Sequence, residues 1–320
     1  MLAFVARRLL AAVPLLFGVT AFAFLLIASA PGDPIATLLA AGDTAVDQAT
    51  IDARRRELGL DAALPVQYVR WVGRLVQGDL GRSFATGRPV AQDVAQRLAA
   101  TGRLALTAVL VAVFVGVVGG VAAAVRRGSW VDQGVTVLAF LAVATPPFFL
   151  GLALIYVFSL KLGVLPTGGL GRLGGGGGLV DAVRHLVLPA TVMALPLLAE
   201  VLRDTRGSML EVLELDFVRT ARGKGAPPRR VRYRHALRNA LLPVITVTAL
   251  AIPALLGGAI VTETVFQWPG LGTLTIEAVL QRDYPVILAV TLVSGVAVLV
   301  ANLVADLLYA VADPRVRSAS

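Results

Sequence analysis

The densest cluster of positive charge in this sequence lies in residues 221–243, which read ARGKGAPPRRVRYRHALRNALLP. Segments of this kind bind phosphate through a glycine-rich loop, bind nucleic acid, or hold a loop on one side of a membrane. A phosphate-binding loop needs the pattern G-x-x-x-x-G-K-[ST] between a strand and a helix. The run Gly223-Lys224-Gly225 does not fit, because glycine follows the lysine and no strand precedes it. A phosphate-binding loop of this type is therefore excluded on spacing.

Residues that could perform catalysis or hold a metal are sparse. The chain has no cysteine and only two histidines, His185 and His235, without a zinc-binding spacing. No G-x-S-x-G or H-E-x-x-H motif is present. The sequence therefore predicts neither catalysis nor a cofactor or metal bound by this chain.

Composition indicates a membrane protein. Of the 320 residues, 57% are hydrophobic and 15% are charged, against about 45–50% and about 25% in soluble domains. The mean hydropathy is +0.80. The net charge of +9 is consequently interpreted first through membrane topology rather than nucleic-acid binding, and no nucleic-acid partner is expected.

Six membrane spans are predicted, since about 20 apolar residues cross a bilayer as a helix. Glu200 and Arg203 follow the shortest run and are expected to snorkel to the interface. The first run resembles a signal peptide with an Ala-x-Ala site, but it is longer than such an apolar region, so a retained span is favoured. The predicted runs are 9–32, 104–125, 133–160, 186–199, 239–262 and 284–305.

The distribution of basic residues predicts the orientation. With six spans both termini share one side, where sixteen Lys and Arg residues lie, ten of them in 200–238. The two short loops on the other side, 161–185 and 263–283, carry four. The positive-inside rule therefore places both termini and loop 200–238 in the cytoplasm.

The long loop 33–103 is predicted to be extracytoplasmic and to contain amphipathic helices. In 65–77, Val66, Val69 and Val76 share one helical face, and Tyr68 and Trp71 are residue types found at headgroup level. We interpret this segment as a helix on the outer membrane surface, against a partner, or capping the bundle.

The cytoplasmic loop 200–238 is predicted to hold two helices around a sharp turn. An apolar residue recurs every three positions, at Val212, Leu215, Val218 and Ala221. Glycine favours the helix end at 223–225, and Pro227-Pro228 can open the next helix, 229–242. A short helix with a small apolar face suits docking into a groove of another protein. The alternative is an electrostatic anchor to anionic lipid.

The chain resembles bacterial ABC importer permeases of the dipeptide, oligopeptide and nickel branch. The resemblance rests on DFVRTARGKGAPPRRVRYRHALRNALLPVITV (216–247) and on further motifs that occur in the same order as in that branch. These are APGDPI (30–35), RRELGLDAALPVQYVRWVGRLVQGDLGRSF (55–84), ETVFQWPGLG (263–272), RDYPV (282–286) and DLLYAVADPRVR (306–317).

The resemblance implies an all-α membrane protein of six transmembrane helices, similar to type I ABC importer permeases. Its regions would be 1–32 with the first helix, the loop 33–103, and a core 104–317 that includes the coupling loop 200–238. It also implies a second homologous permease, two cytoplasmic ABC ATPases that bind ATP and Mg, an extracytoplasmic substrate-binding protein, and surrounding lipid. The location implied is the bacterial plasma membrane.

The resemblance further implies that one segment is a coupling helix docked in a cleft of an ATPase. Ala221 and Gly225 match the last alanine and the glycine of the general E-A-A-x-x-x-G motif. Arg219 stands where that motif has Glu, and Gly223 where the branch usually has Ala. The implied coupling residues are Asp216, Arg219, Thr220, Ala221, Arg222, Lys224 and Gly225.

The implied function is import of peptides, with nickel chelate, glutathione or another small solute as alternatives. Substrate-contacting residues are not indicated. Two other classes are an ion-coupled secondary transporter and a membrane-embedded transferase. The first would need charges near the middle of a span. The second would need convergent carboxylates or histidines, and His185, Glu263, Glu277 and Asp283 show no such spacing.

Overall fold

The computed structural model describes residues 2–29, 35, 48–171 and 178–312, and it is helical throughout apart from loops. Within these residues no strand forms, and Arg82 and Pro89 make one isolated antiparallel bridge. Parts of two motifs, 30–34 and 313–317, lie outside the described residues.

Eleven helices of eight residues or more are numbered here among the described residues. Their order is α1 (Leu2–Ser29), α2 (Gln48–Glu57), α3 (Leu64–Val76), α4 (Val90–Val125), α5 (Trp130–Ala144), α6 (Pro147–Leu154), α7 (Gly178–Glu214), α8 (Asp216–Gly223), α9 (Leu237–Val265), α10 (Leu271–Gln281) and α11 (Tyr284–Ala312). A π-helix, Ile155–Lys161, continues α6. One α-turn, Pro228–Arg230, and a π-helix, Val231–Ala236, lead into α9.

Five of the described helices are long and apolar enough to cross a membrane on their own. The shortest predicted run, 186–199, lies inside one of them. This helix is long enough to span because it continues past Glu200 for about four further turns. Their bounds are Leu10–Ser29, Val90–Val125, Gly178–Leu213, Pro228–Leu255 and Tyr284–Leu307.

The predicted continuous span 133–160 is wrong in one respect: it is broken. The helix direction bends by 109° between Trp130–Ala144 and Pro147–Lys161. The cause is Pro146-Pro147, since proline lacks an N–H and its ring clashes with the preceding turn. The count is therefore five spans, or six if this bent pair crosses the bilayer once.

The chain divides into two compact units, of which the first comprises Met1–Thr101 and Pro269–Leu299. Its main core joins the start of α4 to α10 and the start of α11, through buried residues such as Val90, Leu271 and Val290. A smaller cluster packs Phe24, Trp71 and Leu288 together.

The orientation of α3 differs from the predicted one. Its aromatic face turns inward: Trp71 is buried, and Tyr68 Oη lies 2.9 Å from Thr20 Oγ1 and 3.1 Å from the Phe17 carbonyl oxygen of α1. Val69 and Val76 on the predicted apolar face stay exposed. Two aromatic rings remove more apolar surface from water than small valines, which explains the choice of face.

The second unit comprises Gly102–Trp268 and Val300–Ser320. Helices α4 and α7 pack closely there because Gly116 and Gly120 lack side chains. A Cβ on Gly116 would lie 2.8 Å from Val201 Cγ1, and one on Gly120 would lie 2.7 Å from the Leu202 carbonyl oxygen. The Gly116-x-x-x-Gly120 pattern thus serves packing within the chain.

Candidate functional site

The segment that follows α7 begins with a one-residue break. Leu215 is extended, with φ −71° and ψ 151°, and it ends the long helix α7 before α8 starts at Asp216. An acidic residue in the first turn interacts favourably with the positive end of the helix dipole. The predicted continuous stripe 212–221 is therefore divided between two helices.

One buried residue holds α8 against its own chain. Val218 is 0% exposed, and α8 contacts both α7 and the π-helix Val231–Ala236, in which Val231 is buried. The centre of the predicted apolar stripe consequently cannot dock on another protein. The three-residue repeat predicted an apolar face for docking on another protein, but its central residue, Val218, packs within the chain.

The exposed surface of α8 is mainly polar. Asp216, Arg219, Thr220 and Arg222 are exposed, and Ala221 is half-buried. Arg219 Nη1 lies 3.5 Å from Asp216 Oδ1 with both side chains largely in solvent, so this pair contributes little to stability. Phe217, 41% exposed, was not indicated by the spacing, because it lies off the stripe.

The turn after α8 is a Schellman motif. The Gly225 N–H donates to the Arg222 carbonyl oxygen at 2.9 Å, and the Ala226 N–H donates to the Ala221 carbonyl oxygen at 3.1 Å. Gly225 has φ +77°, a left-handed conformation that suits glycine. The turn therefore ends at the glycines that the sequence indicated.

Basic side chains cover the exposed side of the segment that follows. Pro227 is extended and Pro228 opens the helix. Val231 and Ala236 are buried. Exposed side chains on this segment form a shallow surface, which is lined by Pro227, Arg229, Arg230, Tyr233 and Arg234.

An ion pair ties α7 to the start of α5. Arg206 donates to Asp132 through Nε to Oδ1 at 2.6 Å and through Nη2 to Oδ2 at 2.9 Å. The Gly128 N–H also donates to Asp132 Oδ2 at 3.0 Å. Asp132 is buried, so this two-bond pair is stronger than exposed ones. The sequence did not indicate the pair, since its members lie 74 residues apart.

The predicted coupling residues thus lie together on one short helix and its turn. The structure adds Leu215 and Phe217 as exposed apolar neighbours and removes Val218 from the available surface. Five membrane-length helices in the described part of the chain, two of them joined through the short exposed helix α8, define a multi-pass membrane protein.

The chain belongs to the family of binding-protein-dependent transport system inner membrane components. The model of that family matches residues 116–318, and a second model, for the N-terminal part of the same membrane component, matches residues 1–105. The chain is therefore a multi-pass protein of the inner membrane.

Two named relatives match almost the entire chain. The oligopeptide transport system permease protein AppB of Bacillus subtilis is 44% identical, with 99% of each chain covered. The di/tripeptide transport system permease protein DppB of Pseudomonas aeruginosa is 43% identical, again with 99% of each covered. Both are named as permease proteins, which are non-catalytic membrane components of transport systems.

A solved structure shares the fold. A chain of the MetNI methionine ABC transporter, in an inward-facing conformation, aligns with a TM-score of 0.55 and 15% identity, covering 69% of this chain and 96% of that one. At this identity the likeness concerns the fold alone.

Proposed function

We propose that this chain is the permease subunit of an ATP-driven importer whose cargo is peptide. The observation that carries the proposal is its similarity to two named peptide permeases over 99% of its length. Those names favour peptide over nickel chelate, glutathione or another small solute. Family membership also disfavours an ion-coupled secondary transporter and a membrane-embedded transferase.

The proposed assembly contains this chain, a second homologous permease in a heterodimer, two cytoplasmic ABC ATPases and an extracytoplasmic substrate-binding protein. ATP and Mg are bound by the ATPases. The sixteen basic residues predicted on one side support cytoplasmic termini and a cytoplasmic loop 200–238. The loop 33–103 then faces the binding protein.

Helix α8 and its turn are proposed to dock in a cleft of one ATPase. The contact residues are Asp216, Arg219, Thr220, Ala221, Arg222, Lys224 and Gly225. Their exposure, the buried Val218 beneath them and the hydrogen-bonded turn support a rigid projection that can transmit force.

Movement of α8 is proposed to pass into the membrane through α7. The close α4–α7 packing and the Asp132–Arg206 pair favour rotation of these helices as one body. Closure of the ATPases on ATP would then change the side on which the cavity between the two permeases opens.

The test is ATP-dependent uptake of a labelled tripeptide by the reconstituted assembly, with matched charge reversals. Arg219→Glu/Arg222→Glu changes the proposed docking helix. Arg232→Glu/Arg234→Glu makes the same charge change on the neighbouring exposed surface. We expect the first variant to lower uptake and peptide-stimulated ATP hydrolysis at least tenfold, because it replaces two exposed cations of the proposed docking helix with carboxylates. We expect the second variant to keep both activities.

Two results would contradict this proposal. If the native assembly imports no peptide when ATP and the binding protein are present, the assigned cargo is wrong. If the reversal on α8 is tolerated and the reversal at Arg232 and Arg234 abolishes ATP hydrolysis, the docking surface lies on the π-helix instead.

A further inference from the structure

The second unit contains a cavity of about 740 Å³. Residues of α5, α6, α7 and α9 line it, and most are apolar, such as Met193, Leu197 and Leu250. Among the described lining residues only Glu200 and Arg203 carry charge, and both belong to α7. The cavity is therefore apolar, with one negatively and one positively charged side chain in its wall.

Neither charged side chain has a hydrogen-bond or ion-pair partner among the residues that the structure describes. Within the described part of the chain, Glu200 and Arg203 form no ion pair and no side-chain hydrogen bond, and both are exposed to the cavity. Arg206, which lies one turn further along α7, is by contrast paired with Asp132. Glu200 and Arg203 follow the apolar run 186–199 and are the two charges among the described lining residues of an otherwise apolar wall, so a ligand with complementary charges can bind both of them.

The spacing of the two groups fits the ends of a short peptide. Residues three apart share one face of a helix and lie about 4.5 Å apart along its axis. The termini of an extended dipeptide are separated by about 7 Å, a span that the long Glu and Arg side chains can reach. A carboxylate accepts hydrogen bonds from an ammonium group, and a guanidinium donates two to a carboxylate.

We propose that Glu200 and Arg203 form a subsite for the two charged ends of a peptide in transit. Glu200 receives the terminal ammonium group, and Arg203 receives the terminal carboxylate. The apolar wall, including the adaptable Met193, accommodates side chains without selecting a sequence. This inference rests on the proposed function and names the feature of the cargo that the permease itself recognises.

The test compares three forms of one dipeptide in the reconstituted assembly: free, N-acetylated and C-amidated. Each is preloaded on the same binding protein, so that a variant-to-native ratio reports on the permease alone. The permease variants are Glu200→Gln and Arg203→Gln, and the control is Glu211→Gln, an exposed residue of α7 outside the cavity.

We expect the native assembly and Glu211→Gln to import the free peptide at least about tenfold faster than either blocked form, as one charge-assisted hydrogen bond would produce. Glu200→Gln should lose only the discrimination against the acetylated peptide. Arg203→Gln should lose only the discrimination against the amidated peptide.

If both variants still distinguish free from blocked peptide as the native assembly does, the subsite is wrong. Import of peptide by the native assembly would in that case still support the proposed function. Absence of peptide import by the native assembly would overturn the function itself. If the variants fail to assemble, peptides with a photoreactive group at one end are applied to the native assembly. Labelling near Glu200 from the amino end and near Arg203 from the carboxyl end supports the subsite, and equal labelling from both ends overturns it.

Discussion

Two glycines at the end of α8 and in the turn that follows it have different backbone conformations. Gly225 has φ +77°, whereas Gly223 is the last residue of α8, and a Cβ added there meets no atom within 4 Å. A non-glycine residue in the left-handed conformation costs roughly 1 kcal/mol. The two positions therefore allow a comparison between a glycine whose left-handed backbone conformation is required and a glycine in a helical conformation.

We predict that Gly225→Val lowers ATP hydrolysis coupled to transport several-fold, because the valine displaces the turn that ends α8. Gly223→Ala should leave coupling unchanged. The measurement is peptide-stimulated ATP hydrolysis by the reconstituted assembly, with basal hydrolysis as reference. Equal effects of the two substitutions would show that the turn geometry is unimportant.

Single residues also mark what the sequence could not predict. Asp283 is buried and accepts hydrogen bonds from Ser83 Oγ and from the Phe84 and Ala85 N–H groups, 198 to 200 residues away in the chain. The motifs GRSF and RDYPV were both recognised in the sequence. Their contact was not, because spacing carries no information about partners so distant.

At the scale of elements, hydropathy predicted the helices better than their faces or breaks. The run 186–199 belongs to a spanning helix, as predicted, because an apolar stretch must be satisfied by helical hydrogen bonds. Hydropathy did not predict which face of α3 and α8 is buried, because that depends on the residues that pack against Trp71 and Val218. The break in 133–160 was not predicted, because hydropathy is uniform along this run and does not register the effect of two prolines on the helix.

The Asp132–Arg206 pair offers an element-scale prediction, since it joins α5 to α7. Asp132→Ala removes the acceptor of Arg206 and of the Gly128 N–H and should destabilise the protein by about 1–3 kcal/mol. Glu214→Gln breaks the exposed pair with Arg127, 3.6 Å long, and should cost under about 0.5 kcal/mol.

The measurement for this pair is the thermal unfolding midpoint of the purified protein in detergent. Arg206→Ala combined with Asp132→Ala should cost less than the sum of the two single changes, because both remove one interaction. Strict additivity would show that the pair does not couple the two helices.

At the scale of the whole molecule, the bent segment α5–α6 decides the topology. If it crosses once, the chain has six spans and both termini share one side. If it re-enters, five spans place them on opposite sides. The excess of basic residues in 126–132 and 200–238 favours a single crossing, since both loops then lie in the cytoplasm.

Cysteine labelling tests this topology in a chain that has no cysteine of its own. Gln77→Cys should react with an impermeant reagent from outside, and Arg126→Cys and Glu211→Cys only from inside. All three positions are exposed. Reaction of Arg126→Cys and Glu211→Cys from opposite sides would establish a re-entrant α5–α6.

The break at Pro146-Pro147 also has a consequence for hydration. Proline has no N–H, so the carbonyl groups of Ala142 and Val143, four residues earlier, receive no helical hydrogen bond from these positions. Val143 is a lining residue of the apolar cavity, so the break lies beside that cavity. The break therefore places backbone acceptors that lack a proline N–H donor next to an apolar cavity, where only water or another protein group can hydrogen-bond to them.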